Sequence, residues 1–399
     1  MTQVLSPCFF PMENVIQDYI WGSRTSISKL LGINNPENKP QAEIWMGAHA
    51  NGCSKIINNG NTQLLSDFIA QDKDAILTPK TNAQFAELPY LFKVLAAGEA
   101  LSVQVHPSKA QAEAGFAKEE AAGIPRNAGN RNYKDPNHKP ELVYALTPYQ
   151  AMNGFREFEQ TIELFKKINV AAIGDLVDAF SSSLDSAGLE TFFSALLSLK
   201  GEVKECAVNE LLEYANENKE DPLFALILEL SLQHPGDIGL FTPLMLNVIT
   251  LQPGEAMFLY ACTPHAYLKG TGLEIMANSD NVLRAGLTPK YMDVEELVAC
   301  TKFDAIPFDS LQFTPELKEG GEYYAIPVED FKFALFESIT DLSLTVDSAE
   351  ILLALDNDVT LTHESGETVV INKGQSVFIP AYTKQYQLTS SGRVARAFN

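Results

Sequence analysis

Residues 252–290 read QPGEAMFLYACTPHAYLKGTGLEIMANSDNVLRAGLTPK. The Pro253-Gly254 pair signals a turn, and the apolar run 256–262 behind it has the length of one buried strand. A second turn signal, Thr263-Pro264, puts His265 at the start of the next strand. Gly270, Gly272, Asn278, Ser279, Asp280 and Asn281 then predict a polar, turn-rich bend, with Arg284 and Lys290 beyond it. A histidine behind a rigid turn and two cations past a polar bend have the makings of a site.

The same plan recurs. Residues 251–268 align without gaps on 371–388, INKGQSVFIPAYTKQYQL, with Gly254 on Gly374, Phe258 on Phe378, Ala261 on Ala381, Thr263 on Thr383 and Leu268 on Leu388. A glycine turn, buried strand, turn and strand used twice predicts two copies of one small β-barrel. His265 falls on Gln385, so the second copy keeps the packing residues and lacks that donor. One site is expected, in the first copy.

Between the copies the period changes. Leu189, Phe192, Phe193, Leu196 and Leu197 follow the i, i+3, i+4, i+7, i+8 spacing of an amphipathic helix, and Phe158, Ile162 and Phe165 suggest another before it. Residues 155–233 therefore predict a helical module inserted between strands, with Pro235-Gly236 marking the return to β and strands resuming at about 240. Residues 1 to about 107 read as mostly β, with both tryptophans, Trp21 and Trp45, beside glycines as packing residues and His49 as structural.

The chain has 399 residues, too many for one core, and its formal net charge is -22. That charge disfavours nucleic acid and anionic membrane as partners and makes any cluster of Lys and Arg informative. Five scattered cysteines without paired spacing predict a reducing compartment and no thiolate zinc site. No apolar run has the length of a membrane span, and the N-terminal stretch, with Pro7 and Pro11 and no basic region, does not read as a leader. A cytoplasmic protein is expected.

Residues 101–106, LSVQVH, alternate, which turns Gln104 and His106 to one face just before Pro107. Ser108 with Gln111 forms a capping-box signature for a helix over 108–122, stopped by Gly123 and Pro125. The loop 126–138 carries Arg126, Arg131 and Lys134 and leads into His138-Lys139-Pro140-Glu141, where Pro140 opens a strand over 141–146. Gln104, His106, Glu141 and His265 supply one amide oxygen, two imidazoles and one carboxylate, a donor set suited to a divalent metal, zinc above others. Lys139, Arg284 and Lys290 nearby, in so acidic a chain, point to an anionic substrate such as a phosphate ester. Sequence spacing alone cannot bring these donors together.

On these residues the chain resembles the type I phosphomannose isomerases. The resemblance rests on residues 19–22 (YIWG), 104–107 (QVHP), 139–141 (KPE), 263–267 (TPHAY) and 279–290 (SDNVLRAGLTPK), and it spans most of the chain. It implies a mainly β fold with α: two cupin-type jelly-roll barrels plus an inserted helical domain. The expected units are 1–153 and 237–315 for the catalytic cupin domain, 154–236 for the insertion, and 316–399 for a C-terminal cupin-like domain lacking metal ligands.

The resemblance also implies one zinc ion per chain on Gln104, His106, Glu141 and His265. Arg284 and Lys139 become the expected catalytic residues, and Ser108, Glu274 and Lys290 the expected substrate contacts. The implied reaction interconverts mannose 6-phosphate and fructose 6-phosphate through a cis-enediol, with Glu274, Asp280, His138 or a zinc-bound water as base, in a monomer. Two rival readings are a cupin oxygenase, which usually has histidine-rich ligation that a neutral glutamine fits poorly, and a non-catalytic sugar or metal binder.

Overall fold

The computed structural model describes residues 7–318 and 320–399; the first six residues of the N-terminal stretch discussed above lie outside it. The spine of the first sheet system is the strand His265–Ala277. Its first residues pair with Tyr149–Phe155 on one side and with Gln104–Val105 on the other. Its later residues pair with Tyr90–Ala97 and Glu141–Ala145. One strand therefore serves two sets of partners, and the change of partner falls at Gly270. There φ is +123°, and a Cβ would stand 2.5 Å from the Pro148 carbonyl oxygen, so only glycine fits. Gly270 and Gly272 thus lie inside a long strand rather than in the predicted bend, which begins at Asn278. The preceding strand is also shorter than expected, Ala256–Leu259, because Cys262 turns the chain at φ +66°.

The insertion is helical as predicted. Helices Phe158–Ile168, Gly174–Ser181, Ser186–Leu197, Gly201–Glu217 and Pro222–Gln233 pack Phe165, Phe180, Phe192, Phe193 and Leu211 into one core. The return to β comes later than the Pro235-Gly236 signal suggests. Ile238–Phe241 is a tight 3-10 turn and Thr242–Met245 a helical turn, so strand Leu246–Leu251 is the first to resume. The first hundred residues are likewise less purely β than they read, with short helices at Ser26–Leu31, Leu65–Gln71, Lys73–Leu77 and Pro79–Phe85.

The second sheet system bears out the repeat. Strand Ser376–Ile379 aligns residue for residue with Ala256–Leu259, and Gln385–Phe398 begins where His265 aligns. Gly254 and Gly374 both have positive φ. The chain's own N-terminal strand, Phe10–Glu13, pairs with this system, Phe10 opposite Phe378, so the two ends of the polypeptide share one sheet.

Register extends the repeat to a position that sequence alignment did not reach. Glu141 lies opposite Leu259, and Glu350 lies opposite the aligned Ile379. Glu350 is therefore the counterpart of Glu141 and is fully buried. Likewise Glu274 lies opposite Val143 and Arg396 opposite the equivalent Leu352. In the second system Arg396 holds Glu350, Nε to Oε2 at 2.6 Å. The second copy has thus kept a carboxylate and set an arginine against it.

Candidate metal centre and substrate face

His106, Glu141 and His265 converge from three separate strand regions, and their ligating atoms all lie within 4.8 Å of one another. His106 Nε2 stands 3.3 Å from Glu141 Oε1, and His265 Nε2 stands 3.6 Å from Oε2. The other nitrogen of each ring is occupied: His106 Nδ1 lies 2.7 Å from the Asn281 carbonyl and His265 Nδ1 lies 2.9 Å from that of Thr263. A carbonyl can only accept, so each Nδ1 carries the proton and each Nε2 presents its lone pair inward.

Burial holds both imidazoles neutral: it pushes His106 down to about 3, helped by Lys139, and it also lowers His265. Burial alone would raise the Glu141 carboxyl, but the Lys139 ammonium beside it holds it well below the usual range. Two neutral imidazoles and one carboxylate, each ring oriented from behind, are the protonation states a divalent metal needs. The residues fit the group.

Gln104 joins this cluster through the ladder. It is paired with His265 on one side and with Arg284 on the other, so Arg284, Gln104 and His265 form one row on one face. Gln104–Val105 is only a two-residue strand, shorter than the alternating run 101–106 predicted. Lys139 Nζ lies 2.7 Å from Glu141 Oε1 and 3.5 Å from His106 Nε2, and Tyr267 donates to Glu141 Oε2 at 2.6 Å. Arg284 stands at the end of this row, and Lys290 follows it by six residues. Burial, then the charges of Arg284 and Lys134, lower the Lys290 ammonium. Ser108, two residues past His106, caps the helix Lys109–Ala121 with the capping box read from sequence.

Other expected residues are engaged elsewhere. His138 Nε2 lies 3.0 and 3.1 Å from the two oxygens of Asp330, a residue outside the first system. Asp280 accepts from Asn51 at 2.7 Å and has His49 Nε2 at 3.5 Å. Glu274 is buried and lies 2.8 Å from Lys93 Nζ, which also faces Glu43 at 3.8 Å. Lys93 escaped the sequence reading; its one signal is a lone charge in Tyr90–Ala97, whose residues are all buried. Asn281 reads in sequence only as part of the polar bend, which misses its role. Fully buried, it accepts from the Lys134 and Asp135 amides and donates to the Asp135 and Asn137 carbonyls, fixing the loop that leads to Lys139.

The sheets and their buried cluster define a cupin-type protein with a metal-competent centre that has Lys139 and Arg284 beside it. The family described as phosphomannose isomerase type I matches over residues 9–158 (catalytic domain) and 157–246 (helical insertion domain), and a mannose-6-phosphate isomerase cupin domain matches over 322–399. The Escherichia coli mannose-6-phosphate isomerase is 47% identical over 389 residues, covering 97% of this chain and 98% of that protein. The human one is 36% identical over 408 residues, covering 94% of each. A solved Salmonella typhimurium mannose 6-phosphate isomerase bound to its substrate, fructose 6-phosphate, and zinc superposes with a TM-score of 0.93 at 45% identity. That superposition covers 98% of this chain and all of the other. The chain belongs to the type I phosphomannose isomerase family.

Proposed function

We propose that this protein is a zinc-dependent aldose–ketose isomerase that interconverts mannose 6-phosphate and fructose 6-phosphate through a cis-enediol. The observation that carries the reading is the row Arg284, Gln104 and His265 beside the His106–Glu141 pair, with Lys139 at its edge. Gln104, His106, Glu141 and His265 would hold one zinc ion. When bound, zinc supplies Lewis-acid polarisation of the sugar carbonyl and stabilisation of charge on the adjoining oxygens.

The proton leaves carbon 2 of the open aldose and returns to carbon 1, so the residues must carry it and balance the charge left behind. Arg284, half-buried in the row, faces that charge. Lys139 is the cationic side chain in direct contact with the donor set, and we assign it to substrate contact and assistance with proton transfer. Lys290 and Ser108 are assigned to the phosphate. Glu274 is assigned to substrate binding through its pair with Lys93. His138 and Asp280 are the weaker candidates for the base, because Asp330, His49 and Asn51 already engage them.

The two sheet systems are proposed to be two cupin jelly-roll barrels. The units assigned are 1–153 with 237–315 (catalytic), 154–236 (insertion) and 316–399 (C-terminal). A monomer in the cytoplasm is the assigned state; five free thiols support the reducing compartment, and no helix among the described residues is long and apolar enough to cross a membrane.

A coupled isomerase assay before and after chelation tests the reading. Loss of turnover on metal removal and recovery with added zinc are expected. Turnover insensitive to chelation would sink the metal mechanism, and no turnover on any sugar phosphate would favour a binding protein.

A further inference from the structure

We infer that Asp237, where the helical insertion hands the chain back to the sheets, is a positioning residue for the substrate-side cation Lys290. The inference rests on the reading that Lys290 meets the phosphate of the sugar phosphate. Asp237 Oδ1 accepts from the Leu287 amide at 2.9 Å and from Gly239 at 2.6 Å, and Oδ2 accepts from the Thr288 amide at 3.1 Å. One carboxylate therefore ties its own turn to two consecutive amides lying between Arg284 and Lys290.

The segment it holds needs holding. Leu287 is buried at φ +53°, a left-handed conformation that a β-carbon-bearing residue keeps only where its surroundings enforce it. Gly286 precedes it at φ +113°, and a Cβ there would come within 2.5 Å of the Gly239 Cα. The two glycines thus pass backbone against backbone. From the opposite side, Val103 and Gly286, and Ala285 and Val103, exchange backbone hydrogen bonds at 3.0 and 2.8 Å. That side fixes Arg284 beside Gln104, and Asp237 fixes where the chain goes next, through Thr288 and Pro289 to Lys290. Leu283, Ala285 and Leu287 also belong to the same apolar core as the insertion helices. The insertion accordingly acts as the back wall of the substrate face, and Asp237 is the bolt between them.

The test is Asp237→Asn in the full-length, zinc-loaded enzyme. The amide keeps one acceptor for Gly239 and Leu287 but turns an N–H₂ toward Thr288. We expect the KM for fructose 6-phosphate to rise about tenfold, a loss of about 1.4 kcal/mol. Turnover should stay within about threefold and zinc per chain should be unchanged, because the affected interaction serves binding. Amide exchange at Leu287 and Thr288 should quicken while that of strand Glu141–Ala145 stays as in the parent.

An unchanged KM would overturn the inference, as would KM, turnover and zinc content deteriorating together, which marks general structural damage. If the asparagine variant accumulates poorly, Asp237→Ser, which keeps a short cap for Gly239, is read in the same way. A parent enzyme without isomerase activity would instead refute the functional reading, and the exchange measurement would still decide whether Asp237 anchors the segment.

Discussion

At the scale of single residues, the centre depends on Glu141, where Lys139, His106, His265 and Tyr267 all converge. Glu141→Gln keeps the shape and removes the charge. It should lower zinc affinity by at least about tenfold, the lower end of what even supporting residues are worth, and turnover should fall with it. Metal titration against a competing chelator measures the first effect and the coupled assay the second. The donor residues were legible in the sequence because turns and strand ends announce themselves locally: Pro264 before His265, Pro107 after His106, Pro140 before Glu141. The roles of Lys93 and Asn281 were not, because what makes them matter is contact with chain far away. The Lys93 ammonium is buried against Glu274 and Glu43, and the Asn281 amide satisfies a loop about 145 positions earlier.

At the scale of elements, one strand that changes partners organises the first sheet system, and Gly270 is the joint. Gly270→Ala should cost about 1–3 kcal/mol, because a side chain must take a forbidden φ and meet the Pro148 carbonyl. Urea unfolding with an unchanged m-value would register it. The sequence misled here since glycine signals both a turn and a close backbone approach within a strand, and only the partner strand tells them apart. A turn in the second system gives a pH prediction. Arg393 grips Asp356 with Nε at 2.7 Å and a terminal nitrogen at 2.9 Å, and these hydrogen bonds hold the carboxyl below its usual 3.8. A lowered folded-state value means stability that is present above about 3.8 and lost as pH falls through the folded value. The pair is over a third exposed on the aspartate side, so solvent screening limits it to about 1 kcal/mol or less. Asp356→Asn should therefore lower the urea midpoint slightly at neutral pH, by a margin that shrinks as pH falls below about 3.8.

At the scale of the whole molecule, the two sheet systems are stitched together from both ends of the chain. Besides the Phe10–Glu13 strand, the buried Tyr90 hydroxyl lies 3.0 Å from both the Ala349 and Ala397 carbonyls. Tyr90→Phe should cost about 1–3 kcal/mol, since two buried carbonyls lose their donor, and calorimetry should show whether the loss falls on one transition or two. The repeat told of two like units and the helical periodicity told of the insertion. Neither could tell that residue 10 would close a sheet with residue 378, because strand pairing across the chain leaves no periodic trace. The Glu350–Arg396 pair carries a last consequence. Both inward acids meet a cation of their own chain, but Glu141 shares Lys139 with two imidazoles that leave room for an ion, whereas Glu350 is closed off by the Arg396 guanidinium. The second sheet system is therefore expected to keep its unfolding midpoint when zinc is stripped, since nothing in its Glu350–Arg396 pair leaves a place for the ion to fill.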